Sequence, residues 1–487
     1  MLKKRGDWSY TEGINQVVLH LYIHQPYEEK TPGINAWFGT EFNRKNTWFS
    51  QSKSWIDYQR RCMFMLQRGL PVNDICYFIG EDVPKMTGTR IPGLPDGYSF
   101  DYINAEVIMN RLSVKDGKMI LPDGMSYKLL VLPRLKTMRP ELLRKIKQLA
   151  DQGAYIAGPP PDHSPSLQNF PSADEELRSL SAELWGNRGD NSGQSKNYGK
   201  GKILNVTDLQ PLLDQIGLSP DISVTENIPL LWIHRRLKDT EIYFITNQGE
   251  SPVSFEAAFR VSGSKPELWD ATNGMIRELP AYSQKDEITT VPLKLDSYGS
   301  AFIVFRKSGK PSSTAMEDNF PEPKTMVTIN TPWEVSFDKL LRGPESPVKM
   351  AVLQDWSKTN DERIKYYSGK AVYKNTFVID KIPAEEKIFL NLGNIYVMAE
   401  IRINGQKAGA VWTSPWQTEI TKFLKPGENI IEVDVVNNWV NRLIGDSYLP
   451  EKEQRTWINL NQIKRDDPLQ PSGLLGPVSV VSYRYKQ

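Results

Sequence analysis

The sequence predicts a multidomain protein that is α/β in its first half and all-β in its second half. Between residues 74 and 206, short apolar runs alternate with helical patterns, which is typical of a parallel sheet covered on both faces. After residue 222, short alternating runs are separated by Gly, Pro and Asn, which is typical of antiparallel sheets. The chain has 487 residues, and such a length suggests about three or four domains.

The start of the chain contains one predicted strand and one predicted helix. Residues 16–24 alternate between an apolar face and a second face that carries His20 and His24. Residues 54–70 place aromatic and apolar side chains at helical spacing, with a glycine as the stop signal. We expect the residues before the strand to form a loop. A strand without an opening element of its own then suggests a truncated domain.

The next region is predicted to be a small flavodoxin-like domain that ends around Gly217. No phosphate-binding Gly-rich loop follows its first strand, so we predict that it holds no flavin or nucleotide. The predicted strands are residues 74–80, 128–133, 154–158 and 202–206, and the predicted helices are residues 102–111, 140–152 and 173–185.

The second half of the chain is predicted to contain two antiparallel β-domains joined by a linker. The linker is rich in Pro, Ser and Lys. Asn404-Gly405, between two apolar runs, indicates a β-hairpin. The resulting domain boundaries are residues 1–70, 71–217 (flavodoxin-like), 218–308 (antiparallel β-sandwich), 309–325 (linker) and 326–487 (all-β).

Composition excludes several classes of function. The formal net charge is +2 with acids and bases intermixed, so nothing indicates a nucleic-acid partner or an anionic membrane surface. No apolar run approaches the roughly 18 to 20 residues of a membrane span. The first residues lack the apolar region of a signal peptide. Cys62 and Cys76 are predicted to be buried free thiols, and no nucleophilic Ser motif is present.

The segment from residue 35 to residue 49 has the composition of a sugar-binding loop. Aromatic rings can stack on the C–H faces of a sugar, while Asn, Arg and Glu can bond its hydroxyls. The alternative is a packed loop in which Trp37 and Trp48 are anchors. Glu41 is a weak candidate for an acid or base and could equally be a supporting carboxylate.

His20 and His24 lie four residues apart on the predicted strand and therefore point the same way. We favour a functional role for both, because an unusually polar and aromatic loop follows them. The alternative is a pair of core histidines bonded to neighbouring carbonyls. A metal pair is less expected, because no carboxylate lies at a recognised ligand spacing.

Two motifs resemble glycoside hydrolase family 106, the α-L-rhamnosidases. They are the runs Gly13–Tyr27 and Gly39–Trp48, which are similar to a late strand of that family's catalytic barrel and the segment after it. Further matches follow in order at residues 55–69, 80–82, 95–101, 127–133, 232–235 and 266–270. The last domain resembles the sugar-binding jelly roll of family 2 glycosidases at residues 369–373, 403–405 and 427–430.

The resemblance implies a fold for both ends of the chain. Residues 1–70 would be the last strand and helix of an incomplete (β/α)8 barrel, and residues 326–487 a galactose-binding-like jelly roll. It also implies inverting hydrolysis of α-L-rhamnosides, which needs two carboxylates. In the family the principal carboxylates come from earlier barrel strands, so we expect this chain alone to be inactive. Calcium in the pocket is a possibility that the resemblance raises, with ligands that the sequence does not identify.

The resemblance also assigns a set of substrate-binding residues and a setting for the enzyme. The partner would be an oligosaccharide or glycoside that contains rhamnose, and the full-length protein would be periplasmic or extracellular. The residues that match motif positions and would line the rhamnose pocket are His20, His24, Glu41, Asn43, Arg44 and Trp48.

Two other functions stay open at the level of the sequence. The chain could be a non-catalytic carbohydrate-binding accessory protein that uses the jelly roll near Trp412, Trp416 and Trp439. By default these tryptophans are core residues. It could also belong to another glycosidase with the same accessory domains, such as a family 2 or family 42 β-glycosidase.

Overall fold

A computed structural model describes residues 2–38, 42–82, 90–186, 195–308 and 318–485. In it the chain starts with a helix that packs on the β-sandwich. The prediction of a loop there was wrong. Its first elements are α1 (Leu2–Thr11), β1 (Pro32–Gly33), α2 (Lys53–Leu66) and β2 (Leu70–Pro71), with a 3-10 turn at Phe49–Gln51.

Helix α1 escaped prediction because its buried face is polar. Lys3, Asp7 and Tyr10 are the buried residues, at the i, i+4, i+7 spacing of one helix face. The Lys3 ammonium donates to Asp7 Oδ2 (2.5 Å) and to Ser300 Oγ (2.6 Å) in the β-sandwich. Tyr58 of α2 donates a hydrogen bond to the same Asp7 carboxylate. A hydrophobic pattern does not reveal such a face, because its burial depends on partners from distant segments.

Residues 16–24 are extended but do not form the predicted β-strand. In the described part of the chain their only bridge joins Tyr22 to Phe42. The predicted alternation is nevertheless present, because even-numbered side chains are exposed while Val17 and Ile23 pack inward. The segment thus has the side-chain arrangement of a strand, without a neighbouring strand among the described residues.

The α/β domain contains a six-stranded sheet with helices on its faces. Its parallel strands follow the order β4-β3-β8-β9-β11, which is the 2-1-3-4-5 order of flavodoxin-like sheets. β10 pairs antiparallel with β11 at the edge of the sheet. Its elements are β3 (Ile75–Phe78), β4 (Phe100–Ile103), α3 (Ala105–Asn110), β5 (Ser113–Lys115), β6 (Lys118–Ile120), β7 (Ser126–Tyr127), β8 (Leu129–Val131), α4 (Pro140–Gln152), β9 (Tyr155–Ala157), α5 (Ser172–Trp185), β10 (Ser195–Tyr198), β11 (Gly201–Leu204) and α6 (Gln210–Gln215).

The following β-sandwich packs a four-stranded sheet against a six-stranded one. The orders are β12-β15-β19-β18 and β17-β16-β20-β14-β13-β2, so β2 extends the second sheet. Alternating side chains of both sheets form one core. The strands are β12 (Ile222–Val224), β13 (Leu230–Leu237), β14 (Thr240–Asn247), β15 (Val253–Phe259), β16 (Ser264–Trp269), β17 (Ile276–Glu278), β18 (Ser283–Lys285), β19 (Ile288–Leu295) and β20 (Ser300–Ser308).

The C-terminal domain has two facing sheets, ordered β21-β33-β25-β29 and β23-β22-β24-β30-β27-β28. Asn404 and Gly405 have φ of 51° and 78°, which confirms the predicted hairpin, because a type I′ turn needs positive φ at both positions. Its elements are β21 (Lys324–Thr328), β22 (Trp333–Phe337), β23 (Val348–Met350), α7 (Glu362–Lys365), β24 (Lys370–Ile379), β25 (Lys387–Asn391), β26 (Asn394–Tyr396), β27 (Met398–Ile403), β28 (Gln406–Val411), β29 (Gln417–Glu419), β30 (Gly427–Val436), α8 (Val440–Asp446), β31 (Trp457–Ile458), β32 (Gly473–Gly476) and β33 (Ser479–Tyr483).

A buried charged cluster joins the α/β domain to the β-sandwich. His234 of β13 is 1% exposed and contacts Asp221 and Glu241 with one ring nitrogen each, both at 2.8 Å. Arg260 pairs with the same Asp221 and with Asp74, which precedes β3. Asp221 holds the pKa of His234 above its ordinary value against the opposing effect of burial. His234 is therefore a structural residue.

Candidate functional site

His20 and His24 lie on the exposed side of the extended segment, as the alternation predicted. The His20 ring stacks nearly parallel to Phe38, with a centroid separation of 5.2 Å and an interplanar angle of 21°. On the same side Val18 is 82% exposed and Tyr22 is 56% exposed. Exposed apolar side chains beside two accessible imidazoles are typical of a ligand-binding or partner-binding surface.

Phe42 is the centre of an aromatic cluster that holds the loop of residues 42–49 in place. Its ring centroid lies 5.5 Å from Trp48, 5.4 Å from Phe49 and 5.9 Å from both Tyr22 and Trp55. Trp48 is half-buried in this cluster. It therefore acts at least as a packing anchor, which was one of the two roles predicted for it.

Asn43 and Arg44 stabilise the conformation of the same loop. Asn43 is buried, and its Oδ1 accepts a hydrogen bond from the Lys45 amide at 2.8 Å. Arg44 binds both carboxylate oxygens of Glu28 (2.7 and 2.6 Å) and donates to the carbonyl of Gln25 (2.7 Å). The hydrogen bond from Arg44 lowers the pKa of Glu28. Both predicted site residues thus already have partners within the protein.

The loop is docked on the jelly roll, which the sequence did not indicate. The Lys45 ammonium is buried and donates to three backbone carbonyls of residues 27–30, including that of Lys30 at 2.6 Å. The indole of Trp439 donates to the Lys45 carbonyl at 2.8 Å. Gln51 donates to the carbonyl of Asp434 at 2.9 Å. The C-terminal domain therefore supports the shape of the candidate site.

A jelly-roll segment around β31 also forms one wall of the site. β1 pairs in parallel with β31, and the Asn459 side chain bonds both the amide and the carbonyl of Asn35 across 424 residues of sequence. The Asn35 side chain in turn bonds the backbone of Leu460. Lys30 lies 4.4 Å from the ring centroids of both Tyr27 and Trp457. Sequence reasoning missed these residues, because no local signal connects segments so far apart.

Glu41 lies outside the described residues, together with Gly39 and Thr40, so its position relative to the histidines stays a prediction. Within the described ranges, no group of three or more His, Cys, Asp or Glu side chains could hold a metal ion. Calcium takes six to eight oxygen ligands and favours carboxylates. No calcium ligand is therefore identified among the described side chains, and the calcium that the resemblance raised stays a prediction.

The remaining sequence predictions fall outside this site. Cys62 and Cys76 are buried free thiols, as predicted, and burial raises the pKa of both. Trp416 packs against the jelly-roll core, and Trp412 packs edge-to-face on Tyr58. Across the described residues, no helix combines the length and the apolar character that crossing a bilayer requires.

Comparisons with known proteins identify the family of the chain and the type of its C-terminal domain. The family of glycoside hydrolase 106 α-L-rhamnosidases matches residues 1–284, and the family 2 galactose-binding domain-like module matches residues 349–462. A rhamnosidase structure from Novosphingobium sp. PP1Y is 31% identical with a TM-score of 0.90. It covers 99% of this chain, which spans only 46% of that protein.

A Formosa agariphila protein provisionally named a beta-glucuronidase is 26% identical over 98% of this chain and 61% of its own length. The chain thus spans less than two thirds of either relative.

Proposed function

Because the chain belongs to glycoside hydrolase family 106, the α-L-rhamnosidases, we propose that it forms the C-terminal part of an inverting α-L-rhamnosidase. The substrate class is terminal α-L-rhamnosides of plant polysaccharides. His20, His24 and Trp48 bind the sugar, while Asn43 and Arg44 maintain the loop around it. The full-length enzyme acts in the periplasm or outside the cell.

The exposed face of residues 16–24 is the observation that carries this proposal. It presents His20 and His24 beside Phe38 and the highly exposed Val18, in an extended segment with a strand's alternation. In a β/α barrel such a strand has neighbours on both sides, and its C-terminal end faces the substrate. The exposed edges and side chains are those that the preceding strands of such a barrel would cover.

The carboxylates near the histidines bear on which part of the full-length chain supplies the acid and the base. Inverting hydrolysis needs an acid and a base roughly 6.5–9.5 Å apart. Near the histidines, Glu28 is held by Arg44, and Glu41 is a weak candidate whose position is not described. We therefore propose that the principal acid and base come from sequence beyond this chain, and that these 487 residues alone release little or no rhamnose.

Release of p-nitrophenol from an aryl α-L-rhamnoside tests the proposal directly. The 487-residue chain is compared with a chain extended by the reading frame upstream of Met1. We expect turnover only in the extended chain. In that chain His20→Ala and His24→Ala should each lower kcat/KM by at least about a hundredfold, as loss of a positioned polar contact does. Turnover by the 487-residue chain at an ordinary enzymatic rate would show that it carries its own acid and base.

A parallel assay with an aryl β-glucuronide tests the substrate class. The Formosa agariphila relative carries a glucuronidase name, and the jelly roll matches a module of family 2 glycosidases. We expect the extended chain to release the aglycone from the rhamnoside and not from the glucuronide. The opposite preference would favour the β-glycosidase alternative. Binding of glycans without any turnover in the extended chain would favour the accessory role.

A further inference from the structure

A cavity lies between the β-sandwich and the jelly roll, away from the described residues of the candidate site. Its volume is 570 Å³, within the roughly 300–1,000 Å³ of small-molecule sites, which often occur at domain junctions. The turn after β16, the end of β19, the β28–β29 connection and Lys3 of α1 line it. His20, His24, Asn43, Arg44 and Trp48, the described residues among the six predicted for the rhamnose pocket, do not contribute to this lining.

Arg277 places a cation at this cavity without an acidic partner. Its guanidinium lies over the rings of Phe320 (4.8 Å to the centroid) and Tyr485 (5.3 Å). Throughout the described ranges it forms no ion pair, and burial lowers its pKa although the charges of Asp270 and Asp318 act in the opposite direction. A partly desolvated cation without a direct ion pair is costly, so an anion that reaches it would be bound favourably.

Asp296 gives the cavity a hydrogen-bond acceptor that is unused within the described residues. Its carboxylate forms no hydrogen bond or ion pair there, and burial raises its pKa despite the opposing charge of Lys294. By contrast, the neighbouring Asp270 carboxylate accepts from Thr272 and Asn273 and so shapes its turn. Asp296 is therefore the carboxylate that can accept a hydroxyl donor from a ligand.

Aromatic and neutral polar groups complete the lining. Trp412 borders the cavity, and its ring is held edge-to-face against Tyr58 at 5.2 Å. Gln417 and Thr418 on β29 add amide and hydroxyl groups from the same side. A fixed aromatic ring with convergent hydroxyl-bonding groups suits a saccharide ring, which has an apolar face and a polar edge.

The charge balance indicates which kind of saccharide fits. The lining contains five basic residues against three acidic ones, namely Lys3, Arg277, Lys294, Lys387 and Lys422 against Asp270, Asp296 and Glu419. Lys3, Lys294 and Lys387 have acidic partners, whereas Arg277 and Lys422 lie over aromatic rings and form no ion pair in the described structure.

We propose that this cavity binds an acidic oligosaccharide. A uronate carboxylate pairs with Arg277 and Lys422, sugar hydroxyls donate to Asp296, and one sugar face packs on Trp412. This binding requires no hydrolysis and does not depend on the function proposed above. It would hold a polysaccharide chain at a distance from the rhamnose-binding residues.

Calorimetric titration of the full 487-residue chain tests this site with a hexamer of galacturonate and its fully methyl-esterified form. We expect saturable binding of the acid and at least about tenfold weaker binding of the ester, because the charged hydrogen bonds are lost. Arg277→Met should weaken binding of the acid by at least about tenfold, and the more exposed Lys422→Met by about threefold.

Three controls determine whether the acid binds in this cavity or elsewhere on the protein. Arg363→Met removes an exposed arginine that pairs with Asp361 elsewhere in the jelly roll, and it should leave the affinity unchanged. The double variant His20→Ala/His24→Ala should also bind normally. Thermal unfolding reports whether Arg277→Met folds, and Lys422→Met decides the question if it does not.

The proposal is overturned by absence of saturable binding, by equal affinity for acid and ester, or by unchanged affinity in every folded cavity variant. Loss of binding in the histidine double variant would show that the acidic oligosaccharide binds at His20 and His24 and not in this cavity.

Discussion

His20 and His234 have opposite environments in one protein, and the contrast distinguishes a structural histidine from one that we propose binds a ligand. His234 is buried between two carboxylates, so both of its ring nitrogens already have partners. His20 is exposed and contacts the ring of Phe38. A buried, fully paired histidine contributes to stability, whereas an exposed one costs little to change and is free to meet a ligand. The predictions below test both sides of this contrast.

The largest effect on stability is expected when the buried cluster loses its shared carboxylate. Asp221→Ala leaves His234 and Arg260 without their common partner, and breaking a buried pair costs about 3–5 kcal/mol. Urea unfolding measures this loss. Glu385→Ala, which removes an exposed ion pair with Arg484, is the control and should cost less than about 1 kcal/mol. Similar losses for both variants would contradict a structural role for the cluster.

The same cluster should make stability depend on pH in two windows. The pKa of His234 is raised in the folded protein, so its contribution is complete below the unfolded pKa of about 6.5 and is lost as pH rises through the folded pKa. The pKa of Asp221 is lowered, so its contribution is present above about 3.9 and is lost as pH falls through the folded pKa.

Unfolding free energies of the wild type and His234→Gln, measured from pH 4 to pH 9, should therefore converge towards the alkaline end. A difference between them that grows with pH would contradict the assignment.

A smaller effect is expected where the candidate-site loop is tied to the rest of the protein. Lys45→Met removes the ammonium that binds the carbonyls of residues 27–30, at a cost of about 1–3 kcal/mol. Amide hydrogen exchange should rise first in residues 27–35. Lys53→Met changes an exposed lysine on α2 and should leave exchange in that segment unchanged. Equal exchange in both variants would show that Lys45 does not hold the loop.

The smallest effect on stability is expected at the exposed histidines. His20→Ala and His24→Ala should each change the free energy of unfolding by no more than about 0.5 kcal/mol, as surface substitutions do. Urea unfolding of the 487-residue chain measures this. A loss comparable with that of Asp221→Ala would remove the contrast and turn both residues into structural ones.

The extended segment of residues 16–24 and helix α1 show what the local sequence pattern could predict and what it could not. The alternation in residues 16–24 correctly predicted which side His20 and His24 occupy, although no ladder forms there in the described structure. Helix α1 was missed because its buried face is Lys3, Asp7 and Tyr10. The spacing of a helix or strand can be recognised in the sequence when its buried side chains are apolar. It cannot be recognised when the buried side chains are polar groups that bond distant partners.

The sequence alone determined many local elements of this protein, although not helix α1. Helical spacing defined α4, short apolar runs defined the parallel strands, and Asn404-Gly405 defined a turn, because each depends on neighbouring residues. Only the tertiary structure decided how β1 meets β31 and how Trp457 comes to lie beside Lys30. Such contacts join segments hundreds of residues apart. They form because the packed domains bring those segments together, and no short stretch of sequence specifies them.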